Sequence, residues 1–468
     1  MLRSSVTSVF LVAAVLLGPV APASAATDPD EVRSKVEAVP GVSFHREIRE
    51  DVPAGFRLLV FGYRQPVDHK NPGKGSFDQR FLLLHRGFDR PMVSETDGYT
   101  LTEKAYRLEP TRLLDGNQVT FEHRYFTPSR PDPVDWSKLD IWQAATDHHR
   151  LITALRKVYD RKWITTGISK GGMAAVYHRR FYPGDVDGTA PYVAPNDVKD
   201  SDDSAYAEFF EKAGTPECRK RVRDFQRELL RRRVEIVAGL QKDAEANQYT
   251  YRAVGSLDHG LEMQAIELEW GLWQNGQVTH GCDKVPAVDT PTEKIVEYLL
   301  TDWYTAVAYS DQGLAYTQPY FYQSGTQLGW ATSPVSHLKD LLRYPYRGAR
   351  DYLPAEIRTE FQPGTMKDID SWVRARGSRL LFVYGQNDPW SQEAFVLGKG
   401  TRESKVFVAK EASHEASIAG LTAAEQRTAT AMLRGWAGLG ATRSAGERTT
   451  VITGFDGAKP VRSGPFPR

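Results

Sequence analysis

The stretch Trp163-Ile164-Thr165-Thr166-Gly167-Ile168-Ser169-Lys170-Gly171-Gly172-Met173-Ala174-Ala175 constrains this chain more than any other. Its first half is rich in β-branched and aromatic side chains and favours a strand. Its second half is made of small residues and Met and favours a helix. Between them Gly167-Ile168-Ser169-Lys170-Gly171 fits Gly-x-Ser-x-Gly, a pattern that makes a sharp strand-to-helix turn and lifts the serine hydroxyl above a sheet edge. The serine is held at strained backbone angles, and residues without Cβ leave room on both sides of it. It also lands at a helix N-terminus, where free N–H groups and the dipole favour the negative charge of an oxyanion. Such a pentapeptide also arises by chance, so the rest of the chain has to supply an acid and a histidine.

It does so in order. In α/β-hydrolases an acid after a late strand and a histidine after the last strand follow the serine. Here the apolar run Arg379 to Tyr384 leads into Gln386-Asn387-Asp388-Pro389-Trp390, and Lys405 to Val408 leads into Glu411-Ala412-Ser413-His414. The chain has eleven histidines, and His414 is the only one beyond His337. If the order holds, no other histidine can serve Asp388. The expected triad is Ser169, Asp388 and His414, with the Lys170 backbone N–H as one oxyanion donor. A second donor is expected from residues 86–88 or from the segment after Glu122. Turn-forming and surface-loop roles are the structural alternatives for Asp388 and His414.

The remaining pattern predicts an α/β fold: an α/β-hydrolase core with an inserted α-helical lid domain. Strands are expected at 56–61, 81–84, 118–122, 163–168 and 188–194, with a helix over 137–158, and this order implies a parallel sheet. From 197 to 370 the spacing predicts helices alone, among them 217–240, 261–273 and 335–342. Strands return at 379–384 and 405–408, and a helix closes the core at 422–436. The expected divisions are a signal peptide over 1–25, core over 26–196, lid over 197–370, core again over 371–443 and a peripheral tail over 444–468. Residues 26–55 read as a polar leader wrapped on the surface.

Residues 1–25 carry one charge, Arg3, an apolar run and an Ala23-Ser24-Ala25 cleavage site, the pattern of an export signal whose apolar run is too short to span a bilayer. The expected location is extracellular, with no membrane partner. Lys and Arg number 60 against 59 Asp and Glu, and loss of Arg3 balances them. That balance argues against a nucleic-acid partner, which leaves a basic footprint. The two cysteines, Cys218 and Cys282, are expected to form a disulfide in an exported chain, with two separate buried thiols as the alternative. No cofactor and no metal site is expected: His148 and His149 are adjacent and cannot share a helix face as ligands. The basic run from Arg219 to Arg233 carries Val222, Phe225 and Leu229 at helical spacing and reads as an amphipathic helix.

Several segments resemble one family. They are Gln65-Pro66-Val67-Asp68-His69, Ser76-Phe77-Asp78-Gln79-Arg80, Glu122-His123-Arg124-Tyr125-Phe126, the serine turn, Tyr322-Gln323 with Gly329, and Asn387-Asp388-Pro389-Trp390. In this order they resemble the secreted tripeptidyl aminopeptidases of actinobacteria and, more distantly, the prolyl carboxypeptidase and dipeptidyl peptidase II group. The resemblance covers roughly residues 45 to 440. It implies a serine exopeptidase that acts on peptides with a free N-terminus and releases tripeptides, or tetrapeptides, often after proline; the chain itself is expected to be a monomer. One departure stands out. Where the prolyl carboxypeptidase group continues Tyr-Gln with Cys-Thr-Glu, this chain reads Ser324-Gly325-Thr326-Gln327, so no role in holding a substrate terminus passes to Gln327. A protonated α-amine in a closed pocket needs an acidic partner. Glu122, at the carboxyl edge of the sheet, is the first candidate, and Glu267, Glu269 and Asp302 are secondary. An ion pair with Arg124 or another base is the structural alternative for Glu122. An esterase on the same triad and a non-catalytic binding protein are the competing functions.

Overall fold

A computed structural model of the chain describes residues 29–276, 281–301, 306–346, 348–440 and 451–456. The expected signal peptide, Asp302 and most of the tail lie outside these residues. Nine strands form one sheet: β1 (Val42–Ile48), β2 (Arg57–Pro66), β3 (Ser76–His85), β4 (Met92–Thr96), β5 (Asn117–Phe121), β6 (Trp163–Ile168), β7 (Gly188–Tyr192), β8 (Leu381–Gly385) and β9 (Lys405–Ala409). Their spatial order is β1-β2-β3-β5-β4-β6-β7-β8-β9. From β5 to β9 neighbouring strands are parallel. The expectation of a parallel sheet fails for the first part, where β1, β2, β3 and β5 pair antiparallel.

Two strands escape the sequence reading, for different reasons. The expected leader instead contributes the helix Pro29–Glu37 and the edge strand β1, whose Ser43, His45 and Arg46 face solvent. The β4 segment Met92-Val93-Ser94-Glu95-Thr96 is fully buried yet polar. Its polar groups are paired inside the sheet layer: Ser94 with Thr165 at 2.8 Å, and Glu95 with the hydroxyls of Tyr106 at 2.5 Å and Thr120 at 2.8 Å. A strand whose partners are supplied by its neighbours does not need the apolar pattern by which buried strands are found.

Alternation along the strands builds a core on each face of the sheet. Leu59, Phe61, Phe81 and Leu83 join the helix residues Leu151, Ile152 and Leu155 on one side. Leu58, Val60, Leu82 and Leu84 pack with Leu101 and Phe455 on the other. Leu381 and Val383 meet the closing helix Ala423–Trp436 at Ala429 and Leu433. Phe382 and Tyr384 meet Met173, Val176, Met366, Ile369 and Val373. Helices on both faces of a mostly parallel sheet, with β4 set between β5 and β6, are the architecture of an α/β-hydrolase.

Between β7 and β8 the named elements are all helical among the described residues. They surround a core of their own, with Phe225, Leu229, Ile236, Leu261, Ala265, Trp270, Ile295 and Leu299. The helix expected over 217–240 is two, Pro216–Arg231 and Arg233–Ala246, broken at Arg232. The stretch 335–342 holds only the short turn Ser336–Leu338. The helix Gly364–Arg376 packs against the sheet layer, so the return to the core begins before the expected boundary at 370. Val222, Phe225 and Leu229 face inward from the basic helix, and the buried Arg233 pairs with Glu262 at 2.7 Å and Asp258 at 3.0 Å. Cys218 and Cys282 form a disulfide with a Cα–Cα separation of 5.5 Å. It ties the first turn of Pro216–Arg231 to the turn Cys282–Lys284.

Candidate active site

Ser169 stands between β6 and the helix Lys170–Phe181, at φ 56° and ψ −126°. That region is unfavourable for a residue with a side chain. The turn is held by the Ser169 N–H donating to the Tyr192 carbonyl at 2.9 Å and the Met173 N–H donating to the Ser169 carbonyl at 3.0 Å. Two glycines permit the approach. A Cβ on Gly167 would lie 2.3 Å from the Gly171 backbone, and one on Gly171 would lie 2.2 Å from the Thr96 carbonyl oxygen.

The loop that abuts this turn follows β4. A Cβ on Gly98 would sit 2.7 Å from the Gly171 nitrogen, so residues 97–99 press on the first turn of the serine helix. The buried Lys170 Nζ donates to the Gly98 carbonyl at 2.6 Å and lies 5.4 Å from the ring centres of Tyr99 and Phe126. Burial pulls the Lys170 amine down to about 7, against the nearby Asp97 charge. Residues 86–88 belong elsewhere. They follow β3, which runs antiparallel to β5, and the Arg86 and Gly87 N–H groups donate to Asn117 at the opposite end of the sheet.

Asp388 follows β8 and His414 follows β9, so both rise from the carboxyl edge that carries Ser169. Asp388 is fully buried, and its Oδ2 lies 3.0 Å from His414 Nδ1. Ser391 donates its hydroxyl to the same oxygen at 2.6 Å, and the Trp390 N–H donates to Oδ1 at 3.1 Å. These donors fix the plane of the carboxylate. His414 Nε2 is buried and makes no hydrogen bond. The structure therefore joins Asp388 to His414 and places Ser169 on the same edge, without a hydrogen bond between Ser169 and His414. Such contacts tighten when substrate binds. The helix Leu257–Gln274 of the insert ends on this pair. The Gln274 carbonyl accepts the His414 N–H at 3.2 Å, and its side chain accepts the Trp390 indole N–H at 2.7 Å.

Glu122 follows β5 at the same edge but is fully buried and occupied. It accepts Arg80 at 2.6 Å, the Ser129 hydroxyl at 2.6 Å and the Leu101 N–H at 3.2 Å. Burial raises its pKa, with Arg80 the main opposing influence. The structural alternative is thus the one seen, with Arg80 as the base. Arg124 instead pairs with Asp147 at 2.6 and 2.8 Å. It also donates to the carbonyls of Pro66, Val67 and Lys138, while His69 sits 2.7 Å from Asp147. The segments 65–69 and 122–126 are therefore one buried polar network that shapes the loop beyond β5. Gln327 is also committed, accepting the Ile141 N–H at 2.9 Å and donating to Gln362 at 3.0 Å. His148 stacks on Phe121 at 5.3 Å, and His149 pairs with Asp185 at 2.8 Å.

Of the three secondary acids, Glu267 and Glu269 are buried. Glu269 lies 3.6 Å from Arg223, and burial pushes it up to about 7. Glu267 accepts the hydroxyls of Tyr309 and Tyr352, and burial pushes it from 4.5 up to about 8. A carboxyl whose pKa is raised by folding contributes stability that is fully present below its unfolded value and lost as pH rises through its folded value. Melting temperature is therefore expected to fall as pH rises from about 5 to about 8, and Glu267→Gln to flatten that fall. Calorimetry of both proteins across that range checks it. An unchanged slope would show that Glu267 does not titrate there.

Sequence reasoning missed the loop 97–99, because it missed β4. It also missed Gln274, whose contacts are tertiary, and a group of acids around Asp197. The one local signal for Asp197 is its place directly after a strand ending at the carboxyl edge.

Comparison with known proteins places the chain. It matches the PS-10 peptidase S37 family over residues 25–457. It is 48% identical over 443 residues to a prolyl tri/tetrapeptidyl aminopeptidase of Streptomyces mobaraensis, covering 94% of this chain and 92% of that protein. Among solved structures, a proline iminopeptidase of Mycobacterium smegmatis aligns over 80% of this chain and 98% of its own, at 13% identity and a TM-score of 0.36. VinJ aligns over 81% and 98%, at 13% identity and a TM-score of 0.37. At that similarity it is the chain's own strand order, and not the likeness, that carries the fold assignment. The family match and the 48% identity together show that this chain belongs to the PS-10 peptidase S37 family.

Proposed function

We propose that this protein is an exported serine exopeptidase that releases tripeptides, and tetrapeptides, from free N-termini through Ser169, His414 and Asp388. The observation that carries the reading is the buried Asp388–His414 pair on the sheet edge that carries a strained, helix-capping serine. The 48% identity to a prolyl tri/tetrapeptidyl aminopeptidase supports the substrate class. His414 Nε2 takes the Ser169 proton as the hydroxyl attacks the scissile carbonyl, and later gives it to the leaving amine. Asp388 holds the imidazole by Nδ1–H and stabilises the imidazolium. The Lys170 backbone N–H is one oxyanion donor, and the loop 97–99 pressed against it offers the second. Lys170 Nζ on the Gly98 carbonyl positions that loop. A water then cleaves the acyl-enzyme by the reverse proton route.

The insert, from residue 197 to just before the helix Gly364–Arg376, acts as a lid over this edge, docked through Gln274. The disulfide inside it suits an oxidising compartment, and residues 1–25 serve as the export signal. A chromogenic tripeptide amide with a free amine is expected to be cleaved at least a hundredfold faster, by kcat/KM, than its N-acetyl form or a fatty-acyl ester. Equal rates on the acetylated amide would overturn the exopeptidase reading, and faster ester cleavage would favour an esterase.

A further inference from the structure

The amine of such a substrate needs an acid, and Glu122 is already occupied. Four carboxyl groups meet elsewhere at the sheet edge: Asp197, Asp200, Asp203 and Glu393. Asp200 accepts the Trp330 N–H at 2.8 Å, and Asp203 accepts the Thr332 hydroxyl. Asp197 differs from both. It is only 6% exposed, and its carboxylate has no side-chain partner, with only the Lys199 amide nearby. A carboxyl group taken from water and left unpaired is strongly disfavoured. Burial, then the charges of Glu393, Asp200 and Asp203, push Asp197 up to about 8, with the Lys199 amide acting in the opposite sense. Burial and Asp203 likewise push Glu393 up to about 7. Among the described residues none of the four forms an ion pair, and the one base that acts on the group is Arg350, at Asp200, so acid is in local excess.

The location suits a substrate terminus. The chain from β7 to Asp197 is tied to the loop beyond Asp388 by the Asn196 N–H donating to the Glu393 carbonyl at 2.7 Å. The charges of Glu393, Asp197, Asp203 and Asp388 all act on the Tyr206 hydroxyl, and Asp197 acts on Tyr177 of the serine helix. Gly329 closes on Asp197, since a Cβ there would lie 2.2 Å from Oδ2. Next to Gly329, Trp330 lies 6.3 Å from Trp390, which lies 6.5 Å from His414. Glu267 has two tyrosine hydroxyls and Glu269 has Arg223 as a base, whereas Asp197 has no side-chain partner among the described residues.

We propose that Asp197, assisted by Glu393, receives the α-ammonium group of the bound peptide. The proposal rests on the exopeptidase reading and deepens it. A cation entering this group would supply the partner that the protein withholds, and the aromatic walls would set how many residues lie between it and Ser169. Asp197→Asn keeps shape and removes charge. Its effect is read as the ratio of kcat/KM for a free-amine tripeptide amide to that for the N-acetyl amide, with thermal unfolding to report the fold. In the wild type the ratio is expected to be large, and in Asp197→Asn at least tenfold smaller, through a higher KM on the free amine. Glu393→Gln is expected to shift it in the same direction by less, and serves if Asp197→Asn does not fold. If the wild type discriminates and both variants discriminate equally well, Asp197 is structural and the proposal falls alone. If the wild type does not discriminate, the exopeptidase reading falls and takes the proposal with it.

Discussion

Replacing His414 with Ala is expected to lower kcat on a tripeptide amide by about ten-thousandfold or more, with little change in KM. The effect is large because His414 is the base that the pair with Asp388 sets at the serine's edge of the sheet. His414 Nδ1 is held by Asp388, and Nε2 is the one ring nitrogen left free for Ser169. Ser169→Ala should be as damaging, and the double variant no worse than either single one, since the residues act as a unit. Asp388→Asn should also cost several orders of magnitude. It reverses the hydrogen-bond preference at Nδ1 and leaves the Ser391 hydroxyl and the Trp390 N–H facing an amide. Steady-state kinetics with active-site titration measures all four. Near wild-type turnover in His414→Ala would remove the histidine from the mechanism.

The second large effect concerns stability. Arg124 and Asp147 are completely buried and joined by two hydrogen bonds of 2.6 and 2.8 Å. Breaking a buried pair by removing one partner leaves a charge without compensation, and is expected to cost about 3–5 kcal/mol. Arg124→Met strands Asp147 with His69 alone and leaves the carbonyls of Pro66, Val67 and Lys138 unmatched. Denaturant unfolding of this variant should show that loss. Removing both charges together, as Arg124→Met with Asp147→Leu, should recover part of it. A single variant as stable as the wild type would show that the network shapes the loop beyond β5 without stabilising the fold.

The parts of the site that were legible in the sequence are those where chemistry is local. A strand-to-helix turn needs its glycines beside the serine, and a closing strand needs its loop, so Ser169, Asp388 and His414 could be ordered along the chain. The disulfide was legible because only two cysteines exist. What was hidden is tertiary. β4 is polar because Thr165, Tyr106 and Thr120 satisfy it from neighbouring elements, and with β4 went the loop that presses on the serine turn. Glu122 was rightly placed at the carboxyl edge by strand order, but its partner Arg80 comes from β3, a pairing no local pattern announces. Asp197 has no motif at all. What sets it apart is burial among other acids, which only the fold reveals.

The most direct test of the whole account is to identify the products from a longer peptide, with and without an N-terminal acetyl group, by mass spectrometry. The account predicts that the free peptide loses N-terminal tripeptides or tetrapeptides stepwise and that the acetylated peptide stays intact. Cleavage of both at the same internal bonds would contradict it.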